Sequence, residues 1–502
     1  MFTDEHRRIV WDQIRQHDLR AFAKWLSPEL LTTAAAKAGV RVGKGPLYVV
    51  NLTWLAVAAA LHASKSFADV LTLTLKLLSD TQEFASTPLG KERNNAKRRK
   101  GTGRRSRHDP RRRDATVVSE EAFTKARRFL SIDFWRALFA LLGECFEVAH
   151  GKWVRWKGFR LLALDGTSIT LPGWQRLAEY FGTAKNGKEK QAPQARLVML
   201  QFPLARIPYR YEPGPNGVGE KTLASRLIEH LLPNDLVLLD RGFWSYGLFW
   251  QIQSRQAFFG VRLFKTAKLK TLRRLGPKDR LVRYVPTDRR WRRQGLSESI
   301  DLRVIEYHIK GFRPSAVVTN MMDPQVTTRE DWVRLTVESE PGRRLDPGLY
   351  HRRWEIETTF FELKVSQGMK TSLRSRTPEG IAYEIAGHVL FYFLVRWMMV
   401  EAATAHGRDP LRLSFTQAMR ELQDMSQTLI TASPQRVSRV LLPRLLARIA
   451  EHVVPERRGR HYPRPHDTKI RITGSGKRLL PSKLPTDRPR GKNTQKEIAR
   501  EG

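Results

Sequence analysis

Apolar residues recur at helical spacing towards both ends of the chain and gather into short strand-length runs in its middle. Near the start, 51–61 and 67–78 are apolar-rich segments, with Ser66 placed to cap the second. The stretch 118–147 repeats the helical pattern through Phe123, Ala126, Leu130, Phe134, Leu138, Leu141 and Leu142, with Ser119 as a cap. Beyond Gly151 the texture changes. FRLLALD (159–165), ITL (169–171), ARLVMLQF (195–202) and DLVLLD (235–240) are apolar runs bounded by turn residues, and 220–232 between them reads as a helix. This alternation predicts a mixed α/β core around a buried sheet. From 264 to 312 short strand-like pieces such as DLRVIEYHI (301–309) lie between charged turns, and PSAVVTNMM (314–322) returns to the sheet. Helices are predicted around 347–367, 379–402, 414–429 and 434–450; Ser414 with Gln417 forms a capping box, and Ser433-Pro434 puts proline at a first helical position.

Charge changes the picture more than composition does. The 502 residues suggest about three structural units and are 41% hydrophobic, enough for a substantial core, but 89 Lys and Arg face 50 Asp and Glu, a net charge of +39. Such an excess points to a polyanion, either nucleic acid or an anionic membrane. The membrane fits poorly, because the most apolar runs, 51–61 and 388–400, fall short of the roughly 18–20 residues needed to span one and Arg396 interrupts the second. The first fifteen residues carry charges where a signal peptide has its apolar core, so the expected compartment is the cytoplasm. The single cysteine, Cys145, excludes a disulfide scaffold and cysteine-ligated zinc fingers. The 13 histidines show no zinc-ligand spacing, and GPNGVGEKT (214–222) lacks the Gly-Lys-Ser/Thr ending of a phosphate loop. The run 91–113, twelve basic residues against two acidic, reads as a phosphate-binding arm, and 456–502 as a basic tail.

The chemistry concentrates in YHRRWEIETTFFELK (350–364). At about 100° per residue, Tyr350, Arg353, Glu357 and Lys364 fall on one helical stripe about 60° wide, while Ile356, Phe360 and Leu363 form an apolar stripe that can dock the helix. Glu355 and Glu362 lie well away from the polar stripe. An acid flanked by Arg, Lys and a phenol suits a metal ion and a phosphate bound together, although a salt-bridged exposed face has the same pattern. Asp165 ends the run FRLLALD and Asp240 ends DLVLLD, and carboxylates at strand ends occupy the sheet edge where α/β folds place functional groups. Asp165-Gly166 also reads as a hairpin turn, and Asp240 as the cap of a helix starting near Ser245.

The spacing Tyr350-x2-Arg353-x3-Glu357-x6-Lys364 resembles the YREK signature of bacterial insertion-sequence DDE transposases, insertion-sequence family four. LLALDGTSITLP (161–172) and LVLLDRGFWSY (236–246) resemble that family's two Asp blocks. The resemblance implies a ribonuclease-H-like mixed sheet flanked by helices, with a β-rich insertion and helical N- and C-terminal regions. It implies Asp165, Asp240 and Glu357 as a triad for Mg²⁺, with Mn²⁺ substituting, and Tyr350, Arg353 and Lys364 as contacts to the DNA backbone. Three carboxylates can hold two such ions about 3.5–4 Å apart and need no covalent nucleophile. Trp291, in RRWRR (289–293), is the candidate for stacking on a base displaced at a hairpin end, against the alternative of packing the insertion's own core; Trp244 reads as structural.

The expected organisation is a helical DNA-end-binding region (1–90), a basic arm (91–117), a helical connector (118–157), the catalytic sheet in two parts (158–262 and 314–402) around the insertion (263–313), C-terminal helices (403–455) and a basic tail (456–502). The expected function is cut-and-paste transposition by a homodimer on double-stranded DNA, both terminal inverted repeats and target, with no membrane partner. The alternatives are a non-catalytic DNA-binding descendant and a metal-dependent nuclease without strand transfer.

Overall fold

The computed structural model describes residues 22, 24–42, 48–63, 70, 120–183, 192–264, 266–288, 291, 294–308, 314–333, 348–431 and 434–454. The expected helix at 67–78, the arm at 91–117, the caps Ser119 and Ser433, the four arginines around Trp291 and the tail at 456–502 lie outside the described residues.

The apolar runs become ten strands of one sheet: β1 (Arg155–Trp156), β2 (Phe159–Thr170), β3 (Gln194–Phe202), β4 (Ile207–Pro215), β5 (Asp235–Leu239), β6 (Phe258–Arg262), β7 (Leu269–Gly276), β8 (Asp279–Tyr284), β9 (Ile300–Tyr307) and β10 (Ser315–Thr319). Their order is β4-β3-β2-β5-β6-β10-β9-β8-β7, with β1 pairing on β2. Strands β4, β3 and β2 are antiparallel, then β2–β5 and β5–β6 are parallel, the ribonuclease-H-like arrangement. Strands β7 to β10 are all antiparallel and continue the same sheet through the β10–β6 pair, so the β-rich insertion extends the main sheet. Strand β5 is buried along its whole length, as a central parallel strand covered on both faces must be.

Helices α1 (Pro28–Lys37), α2 (Val49–Leu61), α3 (Glu120–Ala126), α4 (Ile132–His150), α5 (Gln175–Phe181), α6 (Glu220–Ile228), α7 (Tyr246–Ser254), α8 (Arg329–Val333), α9 (Glu355–Phe361), α10 (Met369–Ser372), α11 (Pro378–Ala405), α12 (Phe415–Thr431) and α13 (Leu442–Glu451) surround it. The connector helix breaks at Leu130, and Ser131 starts α4 by accepting from the Phe134 amide at 3.3 Å. Likewise Ser414 accepts from the Gln417 amide at 3.4 Å at the start of α12.

Helix α11 corrects the apolar run read as 388–400. It spans 28 residues and is long and apolar enough to cross a membrane, yet 94% of its most apolar window is buried inside the protein. Its apolar composition on all sides follows from that burial. It packs against α2 so closely that a Cβ on Gly387 would lie 2.6 Å from the Ala56 carbonyl oxygen, and Tyr383 donates to the Leu52 carbonyl at 2.6 Å.

Candidate active site

Leu164 of β2 is level with Leu239 of β5 in the parallel register, so Asp165 and Asp240 both follow directly on the last paired residues. This brings two carboxylates together at the carboxyl end of the sheet's central pair, where functional groups of open α/β sheets gather. The strand itself does not stop at Asp165. Strand β2 runs on to Thr170 and keeps pairing with β3, so the runs 159–165 and 169–171 are one strand and Asp165-Gly166 is no hairpin turn. Only the parallel pairing ends there. Asp240 opens a single 3-10 turn, Arg241–Phe243, without a side-chain capping bond.

The third acid comes from a helix wound in three ways: a 3-10 segment (Leu349–Trp354), α9, and a π segment (Glu362–Ser366). The uniform stripe drawn at about 100° per residue therefore describes only its α portion. Each residue of the four-residue signature has a definite place. The Tyr350 hydroxyl donates to the Leu239 carbonyl at 3.0 Å, immediately before Asp240. Burial raises the Tyr350 phenol's pKa, so it remains a neutral donor. Lys364 donates to the Thr167 hydroxyl at 2.7 Å, two residues beyond Asp165, and burial, with Lys370 nearby, lowers its pKa. The two ends of the helix are thus tied to the two strands that carry the aspartates.

Arg353 lies between them, only 4% exposed. Its guanidinium reaches Glu357 Oε1 at 2.8 Å, Asp165 Oδ2 at 3.5 Å and Asp240 Oδ1 at 3.9 Å. Three acids far apart in the chain therefore meet around one cation. Burial is the main reason that the Asp165 carboxyl is pushed up to about 6; the Gly166 amide and Arg353 oppose the shift, and Asp240 and Glu357 add to it. Asp240 and Glu357 remain open, their side chains 44% and 39% exposed, while that of Asp165 is 18% exposed.

Among the described residues no three acidic, histidine or cysteine side chains stand close enough together to share a metal ion as placed. The Arg353 guanidinium sits among the three carboxylates instead. The donor set still fits a hard divalent cation: all oxygen, three carboxylates, and an acid excess that one arginine does not neutralise.

The other face of the same helix holds residues that the sequence reading placed away from the site. Glu362 receives Arg396 at 2.6 and 2.8 Å, Tyr392 at 2.7 Å and Arg206 at 3.1 Å, and Arg206 also grips Glu355 at 2.7 Å. Arg396, fully buried, is the charge that interrupts the apolar run. That interruption was the available signal, since a cation inside an apolar helix requires a buried partner.

Trp291 is half-buried and rests on the first turn of α7, where a Cβ on Gly247 would lie 2.5 Å from its ring and where the Tyr246 ring is 6.3 Å away. It therefore packs against a helix of the main sheet. Trp244 is 8% exposed, stacked on Phe264 and edge-on to Phe249 and Tyr284.

A family model described as a transposase DDE domain matches residues 156–394, which include all three acids. The transposase InsG for insertion sequence element IS4, from Escherichia coli (strain K12), is 26% identical over 464 residues, covering 90% of this chain and 93% of that protein. A cryo-EM structure of the piggyBac transposase synaptic complex with hairpin DNA matches with a TM-score of 0.35 and 11% identity, over 88% of this chain and 86% of that one. The match across the sheet and the signature helix, with a relative aligned over nearly its whole length, makes this chain a DDE-type DNA transposase, a DNA-binding enzyme that depends on a divalent metal ion.

Proposed function

We propose that this transposase moves its element by cut-and-paste, with Asp165, Asp240 and Glu357 holding two divalent ions. The sharing of one guanidinium by all three carboxylates carries this reading. Mg²⁺ suits the all-oxygen set, and Mn²⁺ is the natural substitute. Bound there, the ions would supply activation of water or a 3′-hydroxyl and stabilisation of the leaving oxygen.

The chain's own residues perform the rest. Asp165, the most buried of the three, fixes the floor of the site, and the more exposed Asp240 and Glu357 face the incoming strand. Arg353 offsets part of the acids' charge in the resting protein, and with ions bound its planar fork would be free to take a DNA phosphate. Lys364 supplies a second cation beside Thr167. Tyr350 was expected on the DNA backbone; its burial and its bond to Leu239 support a role in holding the helix against β5. Trp291 remains the candidate for stacking on a base displaced at the element's end, from a position beside Tyr246 on α7. The enzyme would act as a homodimer joining two ends at terminal inverted repeats and then target DNA, in the cytoplasm at the nucleoid.

The test is to mix purified protein with labelled end DNA, a supercoiled plasmid and Mg²⁺. Nicked, released and joined products are expected. Asp165→Asn, Asp240→Asn or Glu357→Gln should each reduce cleavage by on the order of 10³-fold or more while binding persists. Cleavage retained in one of these variants removes that residue from the triad, and cleavage without joining leaves a nuclease.

A further inference from the structure

Strand β7 closes one edge of the sheet, and residues 270–274 are exposed on both of its faces, so the β7–β8 ribbon stands clear of the helical layers. Its pairing is electrostatically unfavourable. Lys270 is level with Arg283, and Arg274 with Arg280, and like charges directly opposite destabilise a strand pair. On β8 the body of the protein relieves this: Arg283 pairs with Asp301 at 2.7 Å and Arg280 with Glu306 at 3.2 Å. The hairpin's one acid, Asp279, is buried and taken by Arg303. On β7 no acid among the described residues relieves it. Among the described residues Lys268, Lys270, Arg273, Arg274 and Lys278 have no acidic partner, and all five are exposed.

Register shifts after Thr271 and after Arg274 add two unpaired residues to this strand, Leu272 and Leu275. Lys270 and Arg273 consequently share the face of Leu281 and Arg283, while Arg274 lies on the opposite face with Arg280. A ribbon with cations on both faces matches a groove walled by phosphates on each side, and the major groove of duplex DNA admits a two-stranded ribbon. The base of the ribbon lies beside the catalytic centre, where the Tyr284 ring is 5.6 Å from Trp244 and 5.9 Å from Tyr246, just past Asp240.

We propose that the β7–β8 ribbon grips duplex DNA leaving the active site, through its phosphates and without regard to sequence. The proposal rests on the reading of the triad only for where that duplex begins. Exposed lysines and bulges also disfavour the addition of another strand to this edge, which argues against a second copy of the chain as the occupant. The hairpin 269–284 has no Asn or Gln to read adenine, and comparing end DNA with a random duplex separates phosphate contact from any reading of guanine by its arginines and lysines.

The experiment measures binding of the full-length Lys270→Thr/Arg273→Thr/Arg274→Thr variant to end DNA and to a random duplex, over a range of salt and without divalent ions. The plot of log affinity against log salt should become shallower by about 2–3, with equal loss of affinity on both duplexes. Replacing the same residues by the opposite cation (Lys270→Arg, Arg273→Lys, Arg274→Lys) should preserve binding. If the triple variant misfolds, Arg274→Thr alone removes one like-charge pair and should reduce the slope by about 1. An unchanged slope, a loss confined to end DNA, or lost self-association with intact DNA binding would overturn the proposal. Because the assay requires no cleavage, a failure of the triad would leave its outcome unaffected.

Discussion

The two faces of the signature helix use the same chemistry, arginine against carboxylate, to opposite ends. On the back face two glutamates meet two arginines, and Glu362 is satisfied by Arg396, Arg206 and Tyr392 in a nearly closed environment. On the front face three acids share one arginine, two of its contacts are 3.5 Å or longer, and two of the acids are substantially exposed. Balanced charge with complete hydrogen bonding makes an anchor. Unbalanced charge at an opening makes a site that still has affinity for cations. The presence of a buried salt bridge says little until the charges on each side are counted.

Breaking the anchor should produce the largest effect on stability. Glu362→Gln leaves Arg396 buried without its counter-charge and should cost about 3–5 kcal/mol in unfolding experiments. Glu362→Met with Arg396→Met removes both charges and should recover most of that loss. If the single substitution is neutral, the back face is no anchor. If the stable double variant binds end DNA normally yet cleaves poorly, the anchor also positions Glu357; full cleavage would make it purely structural.

A smaller effect sharpens the front face. The Asp165 carboxyl is held at about 6 in the folded protein, chiefly by burial, against about 3.9 when unfolded. Between those values the folded state binds more protons, so this group's contribution to stability falls as pH rises from about 4 to about 6. Denaturant titrations of the metal-free protein should therefore show wild type losing about 2 kcal/mol relative to Asp165→Asn across that window. Parallel pH profiles for the two proteins would contradict this electrostatic picture of the site.

Much of this was legible in the residues, for identifiable reasons. Strands buried on both faces appear as continuous apolar runs, so β5 and the end of β3 are visible, and DLVLLD places Asp240 within one residue of the strand end. The signature spacing places Glu357 beside Arg353 because the α-helical contact between positions i and i+4 is local. Strand β4 escapes the pattern because its three prolines interrupt it; the strand occupies a sheet edge, where proline costs few ladder hydrogen bonds. The bond from Tyr350 to Leu239 and the grip of Arg206 on Glu355 and Glu362 span more than a hundred positions, and no local pattern encodes them. The continuity of the insertion with the main sheet is equally non-local, since it depends on β10 pairing with β6 on one side and β9 on the other.

The central claim is that the three acids exchange their shared arginine for divalent ions when DNA arrives. The most direct measurement is anomalous scattering from Mn²⁺ in crystals of the protein bound to its uncleaved end DNA. The account predicts metal peaks within coordination distance of Asp165, Asp240 and Glu357, with Arg353 withdrawn from all three and resting on a phosphate. Metal bound elsewhere, or Arg353 still seated among the acids in a complex that cleaves its DNA, would contradict it.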